Sequence, residues 1–148
     1  MLIKPLGYFL ASMACNLVMA ASTESAPDCM DNAKTQLAMN ECAASKLAQA
    51  NQELNRVYQA IQSKHQDDPV FLQKLKLAQR AWINFRDAQI DMIYPHRDDS
   101  SYYGSSLPMC VQGQLTTLTT ERTKTLNTWL QGVEEGDVCA GSIKTSEM

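Results

Sequence analysis

Four of the five cysteines, Cys29, Cys42, Cys110 and Cys139, lie beyond an apolar N-terminal run and carry the most definite chemistry in the chain. An even set of cysteines behind an export leader points to disulfides formed in an oxidising compartment, and four allow three connectivities. Metal ligation is the poorer reading. There is no C-x-x-C pair, and His65 and His96 are far in sequence from any cysteine, so zinc-ligand spacing is missing and no metal or cofactor is expected. Asp87 and Glu121 are carboxylates that a helical bundle could bring together. No Gly-rich phosphate loop, G-x-S-x-G, H-E-x-x-H or clustered His/Asp/Glu set accompanies them, and the chain reads as a non-enzyme.

The other chemistry on offer is recognition. Residues 95–108, PHRDDSSYYGSSLP, form the longest stretch without periodicity and hold adjacent tyrosines among Ser, Asp, Gly and Pro. Loops of this length in a small domain are often functional, and Tyr flanked by Ser and Gly is a composition that binding loops use. The contact stretch is placed at Asp98 to Ser106, with Tyr102 and Tyr103 as anchors, Asp98 and Asp99 meeting basic groups, and Ser105 beside them. Charge agrees with a cationic partner: 13 Lys and Arg stand against 16 Asp and Glu, a formal charge of −3. That balance, with no Lys/Arg-rich run, argues against nucleic acid.

Three long helices must position these groups. Thr35 is an N-cap for a helix reaching about His65, in which Leu37, Asn40, Ala44, Leu47, Asn51, Leu54, Tyr58 and Ile61 follow a three-four alternation. Buried asparagines in such a seam fix register, the role expected of Asn40 and Asn51. Asp68 and Pro69 open a second helix that ends before Pro95. Its face is expected to be Leu75, Ala78, Trp82, Phe85, Gln89 and Met92, with Gln79, Arg80, Arg86 and Asp87 interleaved. Leu107 to about Gly132 forms a third, threonine-rich helix whose stability must come from packing. Cys29 to Lys34 reads as a short helical turn. The expected fold is all-α, a small up-down-up bundle of three main helices with disulfide staples.

With 148 residues the chain suits one domain. Residues 1–20 read as a signal peptide with a cut near Ala20, 21–28 as a flexible segment, 29–133 as the helical domain and 134–148 as a loose tail. The apolar run is too short to span a membrane. Lipidation at Cys15 is disfavoured, since Ser12-Met13-Ala14 lacks the usual leucine three residues before the cysteine. The expected location is periplasmic or secreted. Cys29 needs only a tight turn to reach Cys42, the favoured pair. Joining Cys110 to Cys139 demands that about seven residues recross a helix of about 30 Å, which is barely within reach.

Taken together, TQLAMNECA at 35–43, LNRVY at 54–58, QRAWINFRDA at 79–88 and LTTERTKTL at 118–126 resemble the LprI-type lysozyme-inhibitor domain, a small secreted or lipid-anchored helical domain of bacteria. The resemblance covers about residues 28–130. It marks Cys29, Thr35, Gln36, Asn40, Cys42, Gln79, Arg80, Trp82, Phe85, Arg86, Asp87, Cys110, Leu118, Thr119, Arg122 and Leu126, mostly as scaffold positions. Where the family follows the FRDA block with a cysteine, this chain has Ile90. Cys110 thereby loses its expected partner, and Cys139 becomes the candidate.

The resemblance implies an envelope-side inhibitor that binds a cationic peptidoglycan hydrolase, lysozyme first of all, and blocks cell-wall cleavage. The alternative is a periplasmic interaction or immunity-type module with another envelope partner, using Arg80, Arg86 and Asp87 as its contact face. Against that face stands an internal network in which Arg86 or Arg122 pairs with Glu41, Asp87 or Glu121.

Overall fold

A computed structural model describes residues 28–99 and 101–146. The expected leader, its cut near Ala20, Cys15 and nearly all of the 21–28 segment lie outside the described residues. The chain forms α1 (Cys29–Asn32), α2 (Gln36–Lys64), α3 (Pro69–Ile93), a 3₁₀ turn (Gly104–Ser106) and α4 (Leu107–Gln131). The fold is all-α. Among the described residues no helix is long and apolar enough to cross a membrane.

Local chemistry sets each helix start. Thr35 Oγ1 accepts from the Ala38 N–H at 3.1 Å, and Asp68 Oδ1 accepts from the Phe71 N–H at 2.9 Å with Pro69 in the first turn. Both satisfy donors that a helix leaves orphaned at its N-terminus. Gly132 closes α4 with φ of 80°, a region that disfavours any Cβ. The threonines of α4 fit the helix by back-bonding: the hydroxyls of Thr116, Thr117, Thr123 and Thr125 donate to the carbonyls of Gln112, Gly113, Thr119 and Glu121.

The helices run up, down and up. Lys64 at the end of α2 donates to the Leu130 carbonyl at the end of α4, 3.2 Å away. Asn40 near the start of α2 donates to the Ser105 carbonyl just before α4, 3.1 Å away. α2 and α4 are therefore parallel and form the most intimate pair. Small or β-branched residues make that approach possible, since Ala43 and Val57 on α2 and Thr119 and Thr123 on α4 are all buried. α3 returns between them in sequence but stands off in space, reaching α4 through long side chains.

Most of the core sits at one end. Leu54, Val57, Ile61, Leu75 and Leu126 form it, with Tyr58, Phe71, Trp82, Trp129 and Leu130 packed around. Each fully buried aliphatic side chain contributes about 1.5–3 kcal/mol. The other end has fewer such groups and is stapled instead. Cys29 and Cys42 are joined with Cα atoms 5.7 Å apart, and Lys46 pairs with Asp28 beside them.

Four expectations change. Along α2, Leu37 and Ala44 face solvent, whereas Cys42, Ala43, Leu54, Val57 and Ile61 are buried. A straight helix turns every 3.6 residues and drifts about 20° per heptad from a strict 3.5-residue seam, so the buried line moves to Val57 and Ala43. On α3 the inward line is Leu75, Gln79, Trp82, Arg86 and Ile90, while Ala78, Phe85 and Met92 are exposed. Cys110 and Cys139 are free thiols, not a pair. Cys110 lies in the first turn of α4, and Cys139 lies beyond the other end of that helix, roughly 30 Å away at ~1.5 Å per residue.

The fourth change concerns the C-terminus. Residues 134–146 fold back rather than trail. Val133 N–H donates to the Lys144 carbonyl at 3.2 Å, Ser146 N–H donates to the Val133 carbonyl at 2.9 Å, and Trp129 Nε1 donates to Ser142 Oγ at 3.0 Å. Lys144 Nζ then donates to the Lys64 carbonyl at 2.9 Å, tying the segment to the end of α2.

Candidate functional site

The loop after α3 is built on an aromatic stack. Tyr94 caps α3 and meets Tyr103 edge-on with centroids 5.6 Å apart. Tyr103 contacts Tyr102 at 4.7 Å, and Tyr102 in turn covers His96 at 4.5 Å. Such aromatic pairs add about 0.5–1.5 kcal/mol beyond their burial. Burial, and then the nearby Cys110 and Tyr103, push the Tyr94 hydroxyl above its ordinary pKa. Outward of that base, Tyr102 is 61% exposed.

Hydrogen bonds shape the acidic part of the loop. Asp99 Oδ1 accepts from the Ser101 hydroxyl at 2.6 Å and from its N–H at 2.9 Å. The Ser101 hydroxyl first and its N–H second hold the Asp99 carboxyl below its usual value. Arg97 pairs with Asp91 at 2.8 Å. Asp98 stands on the rim of a cleft of about 250 Å³, lined also by Arg97, Leu107, Pro108, Val111 and Gln112. The Oε1 of Gln112 is itself buried in the protein, without a hydrogen-bond donor among the described residues. Arg97 also borders a second hollow of about 240 Å³ with Asp87, Ile90 and Leu115.

The loop residues chosen from sequence are thus brought to one end of the bundle, with different duties. Asp98, Asp99 and Tyr102 are exposed, Tyr103 is half-buried as the joint of the stack, and Ser105 acts through its carbonyl as the acceptor of Asn40. Asn40 accepts in turn from Gln36 Nε2 at 2.9 Å, a structural role. The cleft residues Leu107, Pro108, Val111 and Gln112 escaped the sequence reading. The turn of α4 following Pro108 was the available signal, because its apolar groups extend past the seam.

The remaining marked residues brace α3 against α4. Arg122 Nε donates to Gln79 Oε1 at 3.1 Å, and the guanidinium carbons of Arg86 and Arg122 lie 5.3 and 5.9 Å from the Trp82 ring centre. Partial burial lowers the pKa of Arg122. Arg86 pairs with Asp87 at 2.7 Å, as the internal-network reading expects. Arg122 instead takes an amide and an aromatic face. Phe85 is no part of this brace. Asp28, Cys29 and Cys42 lie close enough to suggest metal ligands, but the two sulfurs are bonded to each other.

Scaffold and loop together define a small helical domain, disulfide-stapled at the end that carries an aromatic and acidic loop. The sequence model of the family described as "Lysozyme inhibitor LprI" matches residues 29–126, and the chain belongs to that family. A Rhizobium meliloti (strain 1021) protein called "Uncharacterized protein R02472" is 32% identical over 136 residues, covering 84% of this chain and 94% of that protein. No solved structure matches the chain.

Proposed function

We propose that this chain is a secreted or periplasmic lysozyme inhibitor that binds a cationic peptidoglycan hydrolase through the loop at Asp98 to Ser106 and blocks cell-wall cleavage. The observation that carries the reading is the cleft beside Asp98. It is lined by the apolar Leu107, Pro108 and Val111 together with Gln112, Arg97 and the carboxylate-bearing Asp98. A lysine or arginine from the partner suits that arrangement, with its stem against the apolar wall and its head at the exposed Asp98 carboxylate. Arg97 does not oppose this strongly, being paired with Asp91.

Family membership supports the partner class, and the acidic chain supports steering toward a basic enzyme. Tyr102 supplies an exposed aromatic anchor of the kind that dominates interface energetics. The mature protein, assayed against a chicken-type lysozyme on cell-wall substrate, is expected to inhibit stoichiometrically and less well at high salt. Absence of inhibition at excess protein would overturn the reading for this enzyme.

A further inference from the structure

Among the described residues, His65 is the one ionisable side chain that is fully buried, at 3% exposure. It closes α2, where its N–H donates to the Ile61 carbonyl at 3.1 Å and its carbonyl accepts from the Asp68 N–H at 3.0 Å. Its ring stacks on Phe71 with centroids 4.2 Å apart, and Nε2 has no partner among the described residues. Backbone and ring both hold it in place. Its charged neighbours on the helix and on the C-terminal segment are cations. Lys144 Nζ lies 2.9 Å from the Lys64 carbonyl, which shares its peptide unit with the His65 N–H, and Lys64 Nζ is held at the Leu130 carbonyl. The carboxylates near the ring are Asp67 and Asp68 of the α2–α3 turn. Both are exposed, and Asp68 is committed to the Phe71 N–H.

A proton on this imidazole adds a third positive charge beside two ammonium groups, in a place largely closed to water. Something must then move. His65 cannot turn outward without giving up its stack on Phe71 at the edge of the core. The C-terminal segment yields more easily. Residues 134–146 contain no buried side chain, with only Ala140 and Ile143 half-buried. The segment is held by the backbone bonds of Val133 to Lys144 and Ser146, by Ser142 on the Trp129 indole, and by Lys144 on the end of α2. Segments with few buried contacts and exposed hydrogen bonds open at far lower free energy than a core helix.

We infer that residues 133–146 form an acid-released latch, in which protonation of His65 expels the Lys144 ammonium from the end of α2 and the segment detaches while the helices stay folded. The sign follows from the buried ring. Burial first, then Lys144 and Lys64, lower the His65 pKa with the latch closed, so the open form takes up the proton more readily. Closure is therefore fully favoured above about pH 6.5 and is lost as pH falls toward the lower value of the closed form. Release frees the Trp129 indole N–H and opens a hollow of about 320 Å³ that Leu130 and Gln131 share with Lys144, Thr145 and Ser146. The latch lies past the end of α4 and the loop at Asp98 to Ser106 before its start, so this switch does not depend on the proposed lysozyme contact.

A pH titration of the isotope-labelled protein by NMR tests this, following the Trp129 indole N–H, the Val133 and Ser146 amides and the His65 ring protons from neutral pH down through the histidine range. In the parent, the three N–H signals should shift to those of a mobile, water-bonded segment with the same midpoint as the His65 ring, while the helix amides and the far-UV circular dichroism hold. His65→Phe, which keeps a ring on Phe71, should leave the latch closed over the same range. Lys144→Met should move the His65 midpoint upward, since the coupling between the two groups is reciprocal. Three results would each overturn the proposal: a segment that stays closed once His65 is protonated, release that persists in His65→Phe, or a His65 midpoint indifferent to Lys144→Met. Loss of the helices at the same midpoint as the segment would do so too, because that is global unfolding.

Discussion

Arg122 reaches from α4 to Gln79 on α3, with Nε 3.1 Å from Oε1, and does so beside the face of Trp82. No carboxylate is bonded to this guanidinium among the described residues, so its partial burial is offset by an amide acceptor and the ring.

Replacing Gln79 by Leu should therefore destabilise the protein by about 1–2 kcal/mol, the cost of leaving a partly desolvated cation without its acceptor. Arg122→Met should cost a similar amount. The double substitution should cost less than the sum of the two, because the orphaned partner is then gone. Urea denaturation of the four proteins in the cycle checks this, and strict additivity would show that the residues do not act as a pair.

A pH dependence follows from His65. It is buried at the end of α2, stacked on Phe71 at 4.2 Å, and its Nε2 has no hydrogen-bond partner among the described residues. Burial first, then Lys144 and Lys64, lower its pKa, against weaker opposition from Asp67 and Asp68. The unfolded chain, with an ordinary histidine near 6.5, then binds a proton that the folded chain refuses. Stability is complete above about pH 6.5 and falls as pH drops toward the lower folded value. Midpoints of urea unfolding should decrease across that window, and His65→Phe should flatten the change.

The Cys29–Cys42 bridge closes a 13-residue separation at the end of the bundle with the smaller core. Its loss should cost about 2–3 kcal/mol. Mass analysis of the unreduced protein should show alkylation at Cys139 first and Cys110 more slowly, with Cys29 and Cys42 labelled only after reduction. Protection of Cys139 before reduction would contradict its exposed, free state.

The tail depends on one backbone conformation. A Cβ at Gly132 would come within 2.8 Å of the Lys144 carbonyl and of the Ser146 nitrogen, at a φ of 80°. Gly132→Ala should therefore cost about 1–3 kcal/mol locally. Faster amide exchange at Val133 and Ser146 should accompany it, with the helices little changed.

Within the loop the two tyrosines should separate. Tyr102→Ala removes an exposed side chain and is expected to weaken lysozyme binding with little loss of stability. Tyr103→Ala takes out the ring between Tyr94 and Tyr102 and should lower thermal stability as well. Parallel melting and inhibition assays distinguish them. Unchanged inhibition in a protein lacking both rings would remove the loop as the contact.

Helix positions were legible in the chain itself because they rest on local chemistry. Thr35, Asp68-Pro69, Tyr94 and Gly132 mark the ends through caps, a fixed proline φ and a positive glycine φ, all of which act within a few residues. The Cys29–Cys42 staple was legible for the same reason of proximity, and the four sequence blocks carried the family. Tertiary structure decided the faces. Whether Phe85 or Leu75 turns inward, or Ala43 rather than Ala44, depends on the rotational phase set by 3.6 residues per turn and by the partner helix, and α3 offers apolar groups in two directions. The same holds for contacts that join distant residues. Gln112 beside Asp98, Lys144 on the Lys64 carbonyl and Arg122 on Gln79 arise only when separate helix ends meet, so no local pattern announces them.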